Sequence, residues 1–240
     1  LLLGARNQVV GRALKNMESV ALDVSAWTHM ALDVPRTPGF HLDDINVEVA
    51  NLQALASGLD SDFIPQGLSA LGILEKAGEL DQRLLAWEST VPDDWAPTRV
   101  SGPECISQSV RDAGLYQGHC DVYRSISIAH TCNSQRCSRI KVQLIIIACL
   151  KHINNDMLEP ASSRALETIQ ELADDICASV PYHLGDRIKI GRIDDKTVHY
   201  PHILGLSVPD DHYLGAAALG GWCLAARLSE LLSPRVPLRA

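Results

Sequence analysis

The chain has 240 residues, of which 46% are hydrophobic and 21% charged, a balance that folds rather than staying disordered. With 21 lysines and arginines against 29 aspartates and glutamates the formal net charge is −8, which excludes a free-standing nucleic-acid binder with the usual basic footprint. The longest apolar run, Leu144 to Leu150, is far short of the ~20 residues that a membrane span needs, so no membrane partner is expected.

The first 17 residues carry Arg6, Arg12 and Lys15 but no acid. An organelle transit segment has that composition, and so does an interior helix of a truncated chain, which is the reading preferred. After Pro38 a helix is expected: Leu42, Ile45, Val49 and Leu52 share a face, and Asp43 and Asp44 are assigned to its first turn, beside the positive end of the helix dipole. Ile73, Ala77, Leu80, Leu84 and Trp87 stack on one face of a second helix. The spacing of Tyr123, Ile126, His130, Asn133, Cys137, Ile140, Leu144 and Ile147 predicts a long helix or a helix pair across about seven turns. Its basic cluster, Arg124, Arg136, Arg139 and Lys141, is expected on a solvated side.

Farther on, Ile169, Leu172, Ala173, Ile176, Cys177 and Val180 form another stripe, with Glu171, Asp174 and Asp175 pointing away, and Val180-Pro181 is expected to end that helix. A closing helix is placed from about Leu214 to Leu232, before Pro234. Breaker clusters separate these segments: Pro35 to Pro38, Gly58 to Gly67, Val91 to Pro103, Val180 to Gly185 and Gly205 to Asp211. Arg187 to Val198 reads as a loop or short hairpin. No linker divides the chain, so residues 1–240 are taken as one all-α, irregular multi-helix bundle, with Trp87, Trp95 and Trp222 anchoring helix contacts.

Chemistry-bearing patterns are sparse. Seven scattered cysteines, among them Cys149 and Cys177 in apolar helical stretches, read as free core thiols of a reducing compartment. Cys132 and Cys137 are too far out of phase on a helix to share a zinc ion, and no second pair follows. His199 and His202 flank Tyr200-Pro201 in a polar loop. The acid pairs Asp43-Asp44, Asp93-Asp94, Asp174-Asp175, Asp194-Asp195 and Asp210-Asp211 invite a diphosphate-binding magnesium site. Glu48 lies one residue late for the usual spacing, however, and Glu159 stands where the second motif after Asn155-Asp156 needs serine. No nucleophile elbow, phosphate loop or dinucleotide fingerprint occurs. No catalytic, cofactor-binding or metal-ligating residue is therefore assigned.

Several segments carry a resemblance in order along nearly the whole chain. They are Ser25-Ala-Trp-Thr-His-Met30 with Pro35-Arg-Thr-Pro38, Asp44 to Leu52, Leu85-Ala-Trp-Glu with Val91-Pro-Asp-Asp-Trp95, Val122 to Ile140, Asp174 to Gly185, Gly220-Gly-Trp-Cys-Leu224 and Val236-Pro-Leu238. Together the sequence resembles the C-terminal regulatory domain of fungal-specific transcription factors of the zinc binuclear cluster class. The resemblance implies a nuclear regulator of RNA polymerase II transcription. It further implies that DNA is contacted only through an N-terminal cluster of six cysteines holding two zinc ions. These 240 residues contain no C-x2-C-x6-C run, so the chain is read as truncated at both ends and no cofactor is expected in it. Transcription machinery or co-regulators, a small-molecule effector and a second copy of the chain are the expected partners. The alternatives are a terpenoid-synthase-like magnesium enzyme using Asp43 and Asp44, or a helical interaction scaffold.

Overall fold

A computed structural model describes residues 2–20, 37–59, 69–153, 159–187, 195–233 and 236–238, with side chains from residue 8 onward. In chain order the elements are α1 (Leu2–Asn16), α2 (Pro38–Ala56), α3 (Ala70–Glu88), a 3₁₀ turn (Asp93–Trp95), β1 (Thr98–Val100), α4 (Gln108–Gly114), a second 3₁₀ turn (Tyr116–Gly118) and β2 (Cys120–Val122). They continue as α5 (Ile126–Ile153), α6 (Glu159–Ala178), α7 (Val180–Leu184), α8 (Asp210–Gly215), a π turn (Ala216–Gly220) and α9 (Gly221–Leu231). The protein is mostly helical, with one two-stranded antiparallel pair among the described residues, β1 with β2, that periodicity did not reveal.

The described backbone forms two compact units, each built from two stretches of chain: residues 1–91 with 138–169, and residues 92–137 with 170–240. In the first unit α2 packs on both α1 and α3. Pro38 occupies the first turn of α2, where its missing N–H leaves no intrahelical bond unmade, and its carbonyl accepts from Trp87 Nε1 at 2.8 Å. Asp43 and Asp44 therefore fall beyond the first turn, a correction to the expected helix start. Ser69 caps α3 by accepting from Gly72 N at 3.1 Å. Ile73, Ala77, Leu80, Leu84 and Trp87 are all buried on α3, as their spacing required, and Leu42, Ile45, Val49 and Leu52 are buried on α2.

The second unit gathers Ile106, Val110, Cys120, Tyr123, Ala129, Tyr182, Val198 and Tyr200 into its core. Ser107 caps α4 through Val110 N at 3.4 Å. In the sheet Arg99 lies opposite Asp121, flanked by Thr98 opposite Val122 and Val100 opposite Cys120. The helix α6 stops at Ala178, before Val180-Pro181, and the chain re-enters a helical turn at Val180. The helix thus ends where expected, and Pro181 also lies in the first turn of α7, where no donor is needed. Trp222, expected to anchor a helix contact, is instead largely exposed. The early segment from Ser25, most of the Gly58–Gly67 and Arg187–Val198 regions, and Asn155-Asp156 lie outside the described residues.

Candidate functional site

The long helix α5 is one continuous element of 28 residues, and its polar positions carry the organisation of both units. The expectation of a solvated basic side is corrected. Of the four cations, Arg124 alone is exposed, where it pairs with Asp94, whereas Arg136 and Lys141 are buried and Arg139 is nearly so. In the first unit Arg139 Nε donates to Asp81 Oδ1 at 3.0 Å, and Ser138 Oγ donates to the side-chain Oδ1 of Asn46 at 2.5 Å. Arg83 grips Glu48 with two bonds of 2.6 and 2.7 Å, which engages the third carboxylate of the Asp43-Asp44-Glu48 group.

The densest polar constellation lies in the second unit, around Arg136. Its Nη1 donates to Tyr123 Oη at 2.6 Å and to Asn133 Oδ1 at 2.9 Å, and its Nε lies 3.7 Å from Asp175 Oδ2. Asn133 Nδ2 in turn donates to Ser179 Oγ at 2.8 Å, and the Ser179 hydroxyl donates to the Ile176 carbonyl at 2.7 Å. From the sheet, Arg99 donates to both oxygens of Asp121 at 2.8 and 3.1 Å and to Asp175 Oδ1 at 3.0 Å. Tyr116 and Gln170 both donate to Asp174 Oδ1, at 2.6 and 2.7 Å. Asp174 and Asp175, read from spacing as pointing into solvent, are thus the acceptors that tie α6 to the sheet, to α5 and to the second 3₁₀ turn.

The electrostatics suit cohesion. Burial works against the charge of Arg136, but the Tyr123 oxygen and Asp175 more than offset it, and its pKa moves up. Burial pushes the Tyr123 phenol up to about 12 despite the neighbouring guanidinium, so it stays protonated. The bond to Asp121 chiefly raises Arg99. A permanently charged arginine and a phenol that keeps its proton supply neither a base nor a nucleophile near neutral pH.

Beside this network lie three buried or half-buried histidines. His183 Nδ1 sits 2.9 Å from the Ser179 carbonyl, so that nitrogen carries the proton and the buried Nε2 is a bare acceptor without a partner. The His212 ring lies between Tyr182 and Tyr200, with ring centres 4.3 and 4.7 Å away. Neither of its nitrogens meets a partner at hydrogen-bonding geometry, although the Tyr182 backbone slightly favours the charged form. Burial is the main cause that lowers His212 to about 4. His130 falls to about 4 for the same first reason, with the charge of Arg227 adding repulsion.

A pH dependence follows. Above about pH 6.5 these rings are neutral folded or unfolded and do not bear on stability. As pH falls from 6.5 to 4 the unfolded chain binds protons that the folded rings refuse, so the folded state loses about 3 kcal/mol for each of His130 and His212. Below the folded values the loss levels off. Urea unfolding at pH 7, 5.5 and 4.5 measures it, and His212→Phe is expected to flatten the slope. Parallel curves for the two chains would refute the assignment.

One arrangement has the residue types of a hydrolase triad and lacks its geometry. Ser109 Oγ and Asp186 Oδ2 both approach Nδ1 of exposed His199, at 3.3 and 2.8 Å. A charge relay divides serine and carboxylate between the two ring nitrogens, which this cluster does not. Asp186 also accepts from His199 N at 3.0 Å, and its own N–H donates to the His199 carbonyl at 3.0 Å. Burial raises the Asp186 carboxyl, but the hydrogen bonds from Ser109 and His199 outweigh it and hold it low. The group latches the chain after α7 to the segment around His199.

The remaining sequence candidates are dispersed. His202 uses its backbone N–H on the Cys105 carbonyl at 3.0 Å, and Cys132 Sγ points to the Trp95 carbonyl at 4.0 Å. Cys105, Cys120, Cys137, Cys149 and Cys223 are buried, and Cys132 and Cys177 are half-buried. Asp210 and Asp211 sit in the first turn of α8, where the helix dipole favours them. Among the described residues no three or more histidine, cysteine, aspartate or glutamate side chains converge to hold an ion, and no helix is long and apolar enough to cross a membrane. Sequence reasoning missed Asp121, Ser179 and His183. Polar Asn133 within a largely apolar stripe was a signal that a buried network lay there.

What these sites define is a mostly helical protein whose buried charges and amides are engaged with one another. Comparison with known proteins adds a specific relative. The chain is 30% identical over 158 residues to Transcription factor dbaG of Emericella nidulans, a match that takes in 62% of this chain and 36% of the relative. The chain is thus a distant relative of a fungal transcription factor and spans little more than a third of that protein's length. No family model matches it, and no solved structure does.

Proposed function

We propose that these 240 residues are the helical regulatory portion of a fungal transcription factor that acts in the nucleus on RNA polymerase II transcription, and that they are not catalytic. The observation that carries this reading is the 158-residue similarity to Transcription factor dbaG. The formal charge of −8 supports a division of labour in which a zinc cluster outside these residues contacts DNA. Exposed Arg124, Arg83 and Arg99 each pair with a carboxylate. Within such a factor the bundle would hold or release an activation function in response to an effector or co-regulator. The magnesium-enzyme reading gains no support, because Arg83 occupies both oxygens of Glu48.

The test is a fusion of the chain to a heterologous DNA-binding domain over a reporter. Transcription is expected to change by roughly fivefold or more relative to the DNA-binding domain alone, the size of effect that a coupling of about 1 kcal/mol gives. An unchanged reporter, with the fusion expressed and bound to its site, would overturn the proposal.

A further inference from the structure

Thr37 holds the N-cap position of α2, yet its hydroxyl makes no capping hydrogen bond and the residue is exposed. Ser69 and Ser107, at the same position on α3 and α4, each accept a helix N–H on the side chain. The Thr37 backbone is extended, at φ −77 and ψ 159, and Pro38 follows it directly. Its hydroxyl lies beside Gly39, where even an added Cβ would sit at an ordinary contact distance of 3.8 Å. In the sequence the string is Pro35-Arg-Thr-Pro38. Of the 12 prolines, Pro38 and Pro234 alone follow a threonine or serine, and only Thr37 also has a proline two residues before it.

We propose that Thr37 is a phosphorylation site for a proline-directed protein kinase, and that the phosphate it receives caps α2. Such a kinase selects proline after the acceptor, because proline brings no N–H that would be left unpaired in the enzyme's pocket. Proline also drives the residue before it to extended backbone, which Thr37 already has. The γ-phosphoryl group of ATP passes to Thr37 Oγ1. The new P–O bond forms as the bond to the ADP oxygen breaks, and the hydroxyl proton goes to the kinase's own base. The product suits its place. The first turn of this 19-residue helix holds no acid, and a phosphate of charge about −1.5 to −2 meets the positive end of the dipole there. His41, exposed one turn on, offers a ring N–H to it. Because the Pro38 carbonyl is bonded to Trp87 of α3, and α2 packs on both α1 and α3, a firmer helix start tightens the first unit. The proposal is independent of the transcriptional reading, since it rests on the string and on the exposed hydroxyl alone.

The test incubates the folded 240-residue chain with a mitogen-activated protein kinase and magnesium-ATP, then counts phosphate by intact mass and places it by peptide mapping. A single phosphate on Thr37 is expected, lost in Thr37→Ala and retained in Thr37→Ser. Ser233→Ala, which removes the other proline-directed position, should leave that incorporation undiminished. Thermal melts establish that the variants fold, and Thr37→Ala should melt with wild type because the hydroxyl makes no cap bond. In urea the phosphorylated chain should show a folded-to-unfolded ratio about two- to fivefold higher than the unmodified one, an excess that shrinks as salt rises. A chain that takes up no phosphate, or takes it only at Ser233 or elsewhere, would overturn the proposal, and so would a Thr37-phosphorylated chain no more stable than the unmodified one.

Discussion

Gly185→Ala is expected to cost about 4 kcal/mol of stability, the largest effect of a single methyl group in this protein, through backbone strain and a clash together. Gly185 sits at φ 60 and ψ −141, a region open essentially to glycine. A Cβ there would also lie 2.3 Å from the His199 carbonyl oxygen, a backbone atom that cannot rotate aside. Relieving the overlap would pull His199 from Asp186, breaking the 3.0 Å bond from Asp186 N and the 2.8 Å contact at Nδ1. Gly205→Ala separates the two contributions. Its φ is 81 with nothing within 4 Å of the added atom, so strain alone should cost about 1 kcal/mol. Urea midpoints of both variants decide it, and equal losses would show that the clash at His199 is not real.

Arg136→Met follows, with an expected loss of about 3–4 kcal/mol. Methionine fills much of the space, so the cost lies in what arginine leaves behind. The Tyr123 oxygen and Asn133 Oδ1 lose their donor inside the core, and Asp175 keeps only Arg99. Asp175→Asn should cost about 1 kcal/mol or less, because Asp175 is 39% exposed and Arg99 still holds Asp121. A double-mutant cycle of Arg136→Met with Tyr123→Phe should return a coupling of at least about 1 kcal/mol. If Arg136→Met unfolds within 1 kcal/mol of wild type, the network is not the cohesive centre described above.

Both predictions concern positions whose surroundings the linear sequence does not display. Gly185 reads as one more breaker after a proline, and Arg136 as one cation among four on a long helix. The close approach of residue 199 to residue 185 closes across intervening chain, and the burial of Arg136 depends on elements contributed from positions 123 and 175. The π turn at Ala216–Gly220 is similar: a Cβ on Gly220 would meet the His183 carbonyl at 2.3 Å, a constraint set by a residue 37 positions earlier (220 − 183). The strands, three residues each, are too short to show alternation and fall where turn residues dominate.

The sequence by itself determined that the chain is mostly helical and which faces of α2, α3 and α6 turn inward, because residues three and four apart share a face by local geometry alone. It also carried the likeness to fungal transcription factors. Tertiary structure decided what the polar residues do: that Arg136, Asn133 and Ser179 bind one another in the interior, that Asp174 and Asp175 are acceptors rather than a solvated edge, and that Trp222 is left outside. Helical period reports a side chain's direction. Whether water, a partner charge or another ring waits in that direction depends on segments distant in sequence, and a buried ion pair and an exposed one are spelled with the same letters.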